Sequence, residues 1–422
     1  MSTTDRLETV PGYSLAERDR RRALADRLMD EEGLDALIVY GDREMAFPAP
    51  FAPDTYFTND RPGAILVIPK GGEPVAHVFI ATVVEDHIQA ADRGRSGWLR
   101  PENIRVGKMG YTLVDTIEDL GLARARFGVI GLDAYPPFYF DGAMPYNTWR
   151  TVLEDLPHAT FTSVGDRFFE LAAVKSDEEI AVLRWSAQVG GRMCRAMLDA
   201  TGPGVSENEI YAAAMQAAGA NLGYSTGLIL GSGTDHIGWG APAWTYRPEP
   251  PRVVEDGDVV LGEVFCSLGM LETQHQPTIA VGRVHPDTRR AADAAHASYL
   301  AGVRTLAAGR TFGEVVDAMA VPMRQVDGWQ VHPLVHSISP FGLIGVGDRM
   351  ADLPEAQRYG SVVRIPTVGR DTVLRPGMVF ALEPNCVLDR HLANVGATVI
   401  VGEDRGVELD TTTVEMLHTA GS

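Results

Sequence analysis

Gly257-Asp258-Val259-Val260-Leu261-Gly262-Glu263 is echoed by Gly377-Met378-Val379-Phe380-Ala381-Leu382-Glu383, 120 positions further on (257 to 377). At the same offset Thr278-Ile279-Ala280-Val281-Gly282 returns as Thr398-Val399-Ile400-Val401-Gly402. In each copy a glycine turn leads into an apolar strand, a glutamate sits near its end, and a second apolar strand follows. Alternation and glycine punctuation make each copy a hairpin. A carboxylate in such a strand is costly to bury unless it is hydrogen-bonded, paired or bound to a cation. Its recurrence at equivalent positions points to two half-sites facing one another across a pseudo-twofold axis.

The flanking sequence repeats too. Capping boxes at Ser176/Glu179 and Ser206/Glu209 open helices near 176–200 and 206–221 ahead of the first hairpin. Helices near 287–308 and 311–325, the latter opened by Thr311 and Glu314, precede the second. Helix–helix–hairpin, twice, stacks two antiparallel sheets with helices outside and a concave centre between the glutamates. Upstream, Ser14 and Glu17 cap a helix that closes at Gly33, and short apolar strands follow at Ala36–Tyr40, Ala64–Pro69, Val75–Ile80 and Phe127–Leu132. Strands alternating with helical or polar segments read as a compact α/β domain. The expected class is therefore α+β, with an N-terminal α/β domain over 1–168 and the duplicated domain over 169–422.

Composition removes several function classes. A formal charge of −19 argues against nucleic acid or an anionic membrane as partner. No apolar run reaches the length of a membrane span. Met1 to Asp30 is charged and lacks the apolar core of a signal peptide. Cys194, Cys266 and Cys386 form no close-spaced pair, which fits free thiols in a reducing compartment. A cytoplasmic protein acting on a small molecule is expected.

If the first hairpin turns at Leu268-Gly269, Glu263 lies opposite Gln274, with Gln276 on the same face and His275 on the other. By the same register Glu383 pairs with Asn394, and Gly396 is two residues on. Between the hairpins, Val331-His332-Pro333-Leu334-Val335-His336 can send two histidines to the same centre, and the loop Gly231-Ser232-Gly233-Thr234-Asp235-His236 has glycines that permit close approach to a ligand. A single strand glutamate usually marks an edge or an ion pair, and a single buried histidine a core hydrogen bond. The symmetric recurrence is what singles out Glu263 and Glu383.

The doubled hairpin, the His-x-x-x-His segment and Arg375-Pro376-Gly377-Met378-Val379-Phe380-Ala381-Leu382-Glu383-Pro384 resemble the creatinase / Xaa-Pro dipeptidase / methionine aminopeptidase superfamily, with its pita-bread fold. The resemblance implies a creatinase-type N-terminal domain and a homodimer. It also implies the positions at which the metallopeptidases of this superfamily bind two divalent cations, through two aspartates, a histidine and two glutamates. Here those positions carry Glu263, Gln274, His336, Glu383 and Gly396. The second aspartate and the last glutamate, which bridge the ions, are thus an amide and a glycine. Hard divalent cations held close together need bridging carboxylates, so no metal or other cofactor is expected. In creatinase, the metal-free branch, one catalytic glutamate matches Glu383. Its other glutamate falls on Gln276, and its histidine on Gly240, four residues after His236. A substrate-binding aromatic–arginine segment looks similar to Tyr56-Phe57-Thr58-Asn59-Asp60-Arg61.

The resulting expectation is a metal-independent, creatinase-like enzyme that hydrolyses a C–N bond of a small nitrogenous metabolite. Glu263, His336 and Glu383 would be catalytic; Gln274, Gln276, His236, His332, Phe57 and Arg61 would bind substrate, Arg61 from a partner subunit. The alternatives are a metal-dependent Xaa-Pro dipeptidase or aminopeptidase, and a non-catalytic ligand- or protein-binding pseudoenzyme. A retired site fills with apolar residues, whereas this one keeps two carboxylates and a histidine.

Overall fold

A computed structural model describes residues 10–41, 52–95, 97–134, 142–349, 366–415 and 417–420. The chain forms two compact units, divided between Ala172 and Ala173.

The N-terminal unit opens with helix α1 (Leu15–Glu32), capped by Ser14, whose Oγ accepts from the Glu17 amide at 3.2 Å, and closed by Gly33 at φ 66°. Its strands are β1 (Ala36–Tyr40), β2 (Ile65–Pro69), β3 (Val75–Val78), β4 (Ile104–Val106), β5 (Arg126–Ile130) and β6 (Thr160–Ser163). Among the described residues they form one sheet in the order β4-β3-β2-β1-β5-β6. β1 pairs antiparallel with β2 and parallel with β5, and all five of its residues are buried, as its continuous apolar run requires. The helices are α2 (Pro53–Thr58), α3 (Thr82–Asp92), α4 (Gly110–Asp119), α5 (Tyr146–Asp155) and α6 (Gly165–Ala172). The unit runs past the expected limit of 168 because α6 spends Phe168, Phe169 and Ala172 on its core, with Tyr56 and Phe57.

The second unit has the doubled order. Helices α7 (Asp177–Ala200) and α8 (Glu207–Ala220) precede β7 (Leu228–Gly233), β8 (Val259–Leu268), β9 (Leu271–Gln276) and β10 (Thr278–Ala280). Helices α9 (Pro286–Thr305) and α10 (Phe312–Gln325) precede β11 (Val335–Ser337), β12 (Ile344–Gly345), β13 (Val379–Leu382), β14 (Asn385–Leu388), β15 (His391–Asn394) and β16 (Gly396–Ile400). The capping boxes at Ser176, Ser206 and Thr311 are all formed. Met193, Met197 and Ile210 of the first helix pair pack on Val260 and Val264, and Tyr299, Phe312 and Met319 of the second on Phe380 and Val399. The two copies meet where β9 pairs with β16, Gln276 opposite Gly396. These two residues are themselves equivalents under the 120-residue offset (276 to 396), so the pseudo-twofold axis passes between them.

The register differs from the expected one by two residues in both copies. The first hairpin turns at Gly269-Met270, both at positive φ (53° and 62°), with Leu268 paired to Leu271 and Phe265, not Glu263, opposite Gln274. A two-residue turn with both residues left-handed matches the twist of the strands it joins, and Met270 adopts it as well as the glycine. In the second copy Asn385, not Glu383, pairs with Asn394, and Leu382 pairs with Ala397. Continuing both ladders sets Glu263 across from Gln276 and Glu383 across from Gly396. A shift of two preserves the face, so the same side chains still converge.

Candidate active site

Gln276 is the centre of the cluster. Its Nε2 donates to Glu263 Oε1 at 3.1 Å and lies 3.4 Å from Glu383 Oε2, so one amide spans the two glutamates. Its Oε1 has no hydrogen-bond partner among the described residues. A Cβ added at Gly396 would collide with that oxygen and with the Leu382 carbonyl oxygen. The Gln276 side chain thus fills the space that a side chain at 396 would need. Glu263, Gln276 and Glu383 are all buried.

Two buried carboxyls in one pocket cannot both ionise freely. Burial and the neighbouring Glu383 push Glu263 well above the usual carboxylate range. Burial pushes Glu383 up to about 8, moderated by a hydrogen bond from Glu263. The pair therefore holds at least one proton at neutral pH.

The two histidines flank it. His336 Nε2 lies 3.0 Å from Gln274 Oε1 and 3.5 Å from Glu383 Oε1, and its Nδ1 is 3.0 Å from the Ser337 carbonyl oxygen. Oxygens facing both ring nitrogens favour the doubly protonated ring. Burial opposes that and prevails, drawing the pKa down to about 4. His332 Nδ1 lies 3.0 Å from both the Pro333 carbonyl oxygen and Asn385 Nδ2, and 3.8 Å from Glu383 Oε1. Its Nε2 is buried without a hydrogen-bond partner among the described residues, and burial brings its pKa to about 4. Each imidazole stacks on an aromatic ring: His332 on Trp239 and His336 on Phe341, both at 4.1 Å between centroids.

The structure thus gathers Glu263, Gln274, Gln276, His332, His336 and Glu383 into one buried cluster. His275 points the other way, against Gly190 of α7, with Asp410 3.7 Å away. His236 packs on Gly231 of β7, and its charged neighbours are Glu207, Arg252 and Asp235, not the glutamate pair. Phe57 is a core residue of the N-terminal unit, its ring against Tyr56 and Phe168. Arg61, in the same unit, is half exposed and paired with Asp86 at 2.8 Å. Sequence reasoning missed Glu272, whose Oε1 accepts from Gln274 Nε2 at 3.0 Å. The alternation of 272, 274 and 276 on one strand face could have found it. It also missed Asn385, two residues beyond Glu383, and Trp239, for which the sequence carries no signal.

A family model for metallopeptidase family M24 matches residues 181–413, more than half of the chain. The chain belongs to metallopeptidase family M24. Over 222 residues this M24 protein is 24% identical to methionine aminopeptidase B of Synechocystis sp., covering 50% of this chain and 74% of that one. Over 282 residues it is 24% identical to the uncharacterized peptidase YqhT of Bacillus subtilis, covering 66% and 70%. Among solved structures it is similar to an X-Pro aminopeptidase from Thermotoga maritima (TM-score 0.68, 16% identity, 93% of this chain and 98% of that one). It is also similar to dipeptidase PepE from Mycobacterium ulcerans (TM-score 0.67, 20% identity, 97% and 99%). The fold is the pita-bread fold behind an N-terminal α/β domain. No helix among the described residues is long and apolar enough to cross a membrane.

The family implies a pair of divalent metal ions, and the residues here do not fit one. A neutral amide, that of Gln276, lies between Glu263 and Glu383 where two cations would need a bridging carboxylate, and the space beside Gly396 is filled by the same side chain. Among the described residues no group of three or more His, Cys, Asp or Glu is arranged to hold a metal ion.

Proposed function

We propose that this M24 protein is a metal-independent hydrolase that cleaves a C–N bond of a small polar metabolite carrying a cationic nitrogen. The observation that carries the reading is the Gln276 amide between Glu263 and Glu383: a neutral N–H donor occupies the place between two carboxyls. A substrate N–H cation can take that place and relieve the repulsion between them, which the amide only moderates.

The geometry supports the following chemistry. Glu263 holds the cationic nitrogen. Glu383, which titrates near 8 before substrate enters, releases its proton to solvent when the cation arrives and then, as a carboxylate, accepts a proton from water. The water oxygen bonds to the carbon as the C–N bond breaks. The departing nitrogen takes its proton from His336, 3.5 Å from Glu383, which passes on the proton that Glu383 removed. His332 Nε2, unpartnered among the described residues, is free to bind a polar substrate atom. Arg61 of a second subunit would take a substrate carboxylate; its present partners are the exposed Asp86 and half-buried Asp60, which a carboxylate can displace.

The test is elemental analysis of the purified protein, followed by a panel of guanidino, amidino and amino acids and Xaa-Pro dipeptides, each assayed with and without chelator. Turnover of a cationic C–N substrate that survives chelation supports the reading. Two divalent ions per chain, or Xaa-Pro cleavage abolished by chelation, overturns it in favour of a metallodipeptidase.

A further inference from the structure

The echoed sequence contains two threonines, Thr278 and Thr398, equivalent under the 120-residue offset and both 1% exposed. The acid–base cluster does not include them, yet their hydroxyls do the same thing on opposite sides of the axis. Thr398 Oγ1 accepts from the Gln274 amide at 2.8 Å and donates to the Gln274 carbonyl at 3.2 Å. Thr278 Oγ1 accepts from the Asn394 backbone amide at 3.0 Å and donates to Asn394, its proton shared between the backbone carbonyl at 2.7 Å and the side-chain Oδ1. Gln274 and Asn394 are themselves equivalents (274 to 394). Each threonine therefore grips both backbone groups of an amide residue in the other copy.

Each gripped residue then reaches back across the axis. Gln274, in the first copy, meets His336 of the second at 3.0 Å. Asn394, in the second copy, donates from Nδ2 to the Gly262 carbonyl at 3.0 Å, immediately ahead of Glu263 in the first. The route is closed on both sides: Thr398 to Gln274 to His336, and Thr278 to Asn394 to the backbone of Glu263.

We propose that Thr278 and Thr398 are positioning residues, through which each half of the duplication fixes the acid–base group that the other half uses. The inference rests on the reading of Glu263 and His336 as chemical groups, but concerns only where they are held. Replacing a threonine by valine preserves shape and removes both the donor and the acceptor. The buried N–H and C=O of Gln274 or Asn394 then lack their partner, so that strand must shift to satisfy them.

The test uses the full chain with 15N-labelled histidine, the His336 ring resonances being assigned by their loss in His336→Gln. Thr398→Val is expected to shift the His336 Nε2 resonance and Thr398→Ser to restore it, while Thr278→Val leaves it at the wild-type position. If Thr398→Val does not fold, Thr398→Cys, with a thiol that donates and accepts poorly, replaces it and is expected to shift the same resonance. An unmoved His336 resonance in the folded variant, an equal shift in Thr278→Val, or no recovery in Thr398→Ser overturns the proposal. The readout is the ring itself, so it stands apart from the catalytic reading, which fails instead if His336→Gln turns over substrate at the wild-type rate.

Discussion

Replacing Glu383 by glutamine should stabilise the ligand-free protein, and only at high pH. The Glu383 carboxyl ordinarily titrates at 4.5 and is pushed to about 8 by burial. Below 4.5 it is protonated in the folded and unfolded chains alike. As pH rises from 4.5 to 8 the unfolded chain ionises while the folded one keeps its proton, so the wild type loses stability through that window and levels off above it. At about 1.4 kcal/mol per tenfold change in proton affinity, the full loss is at most about 5 kcal/mol. Relaxation of the site and entry of water reduce it, and about 2 kcal/mol is the working expectation. The glutamine variant keeps the shape and has nothing to ionise. In a unit of this size 2 kcal/mol corresponds to roughly 4–8 °C. Thermal melts without ligand should therefore show Glu383→Gln close to wild type at pH 5 and roughly 4–8 °C above it at pH 9. The low-lying histidines contribute equally to both proteins and cancel. A gap that is the same at both pH values, or a variant less stable than wild type at pH 9, would refute the argument that Glu383 is buried beside a second acid.

Gly396→Ala should cost about 1–3 kcal/mol in guanidinium unfolding, because the added Cβ meets Gln276 and the Leu382 carbonyl; adding Gln276→Ala should recover only part, since the carbonyl remains. Cys194, Cys266 and Cys386 are buried, and burial pushes Cys266 and Cys386 up to about 12; a thiol reagent should label none of them in the native protein and all three in denaturant. Light scattering should give twice the mass of one chain, and Arg61→Ala should raise KM for a carboxylate substrate about 10-fold or more, as loss of a charge-assisted hydrogen bond implies; a monomer, or unchanged kinetics, would remove Arg61 from the site.

The duplication was legible because it is written twice, and the helices because serine or threonine followed three residues later by glutamate is a local signal that survives at Ser176, Ser206 and Thr311. The glutamate pair was legible for the same reason. The register was not: whether a hairpin turns at Leu268-Gly269 or Gly269-Met270 depends on Met270 accepting a left-handed conformation, which composition does not announce. That two-residue difference moved Glu263 from Gln274 to Gln276, leaving the first amide beside His336 and setting the second between the glutamates. Trp239 could not have been found at all, since its place over His332 depends on how a long loop folds back. His236 is placed differently. Its glycine-rich neighbourhood signalled close approach, and the approach the structure makes is of the ring to Gly231 of β7.

The pairing of Gln276 with Gly396 has a consequence for how such a chain can change. Residues that face each other on a twofold axis compete for a single volume, so a duplicated protein cannot remain symmetric there once either acquires a long side chain. Whichever copy first supplies the occupant obliges its counterpart to shrink. Positions 276 and 396 are in that sense one site with two addresses, and a substitution at either can be judged only together with the residue at the other.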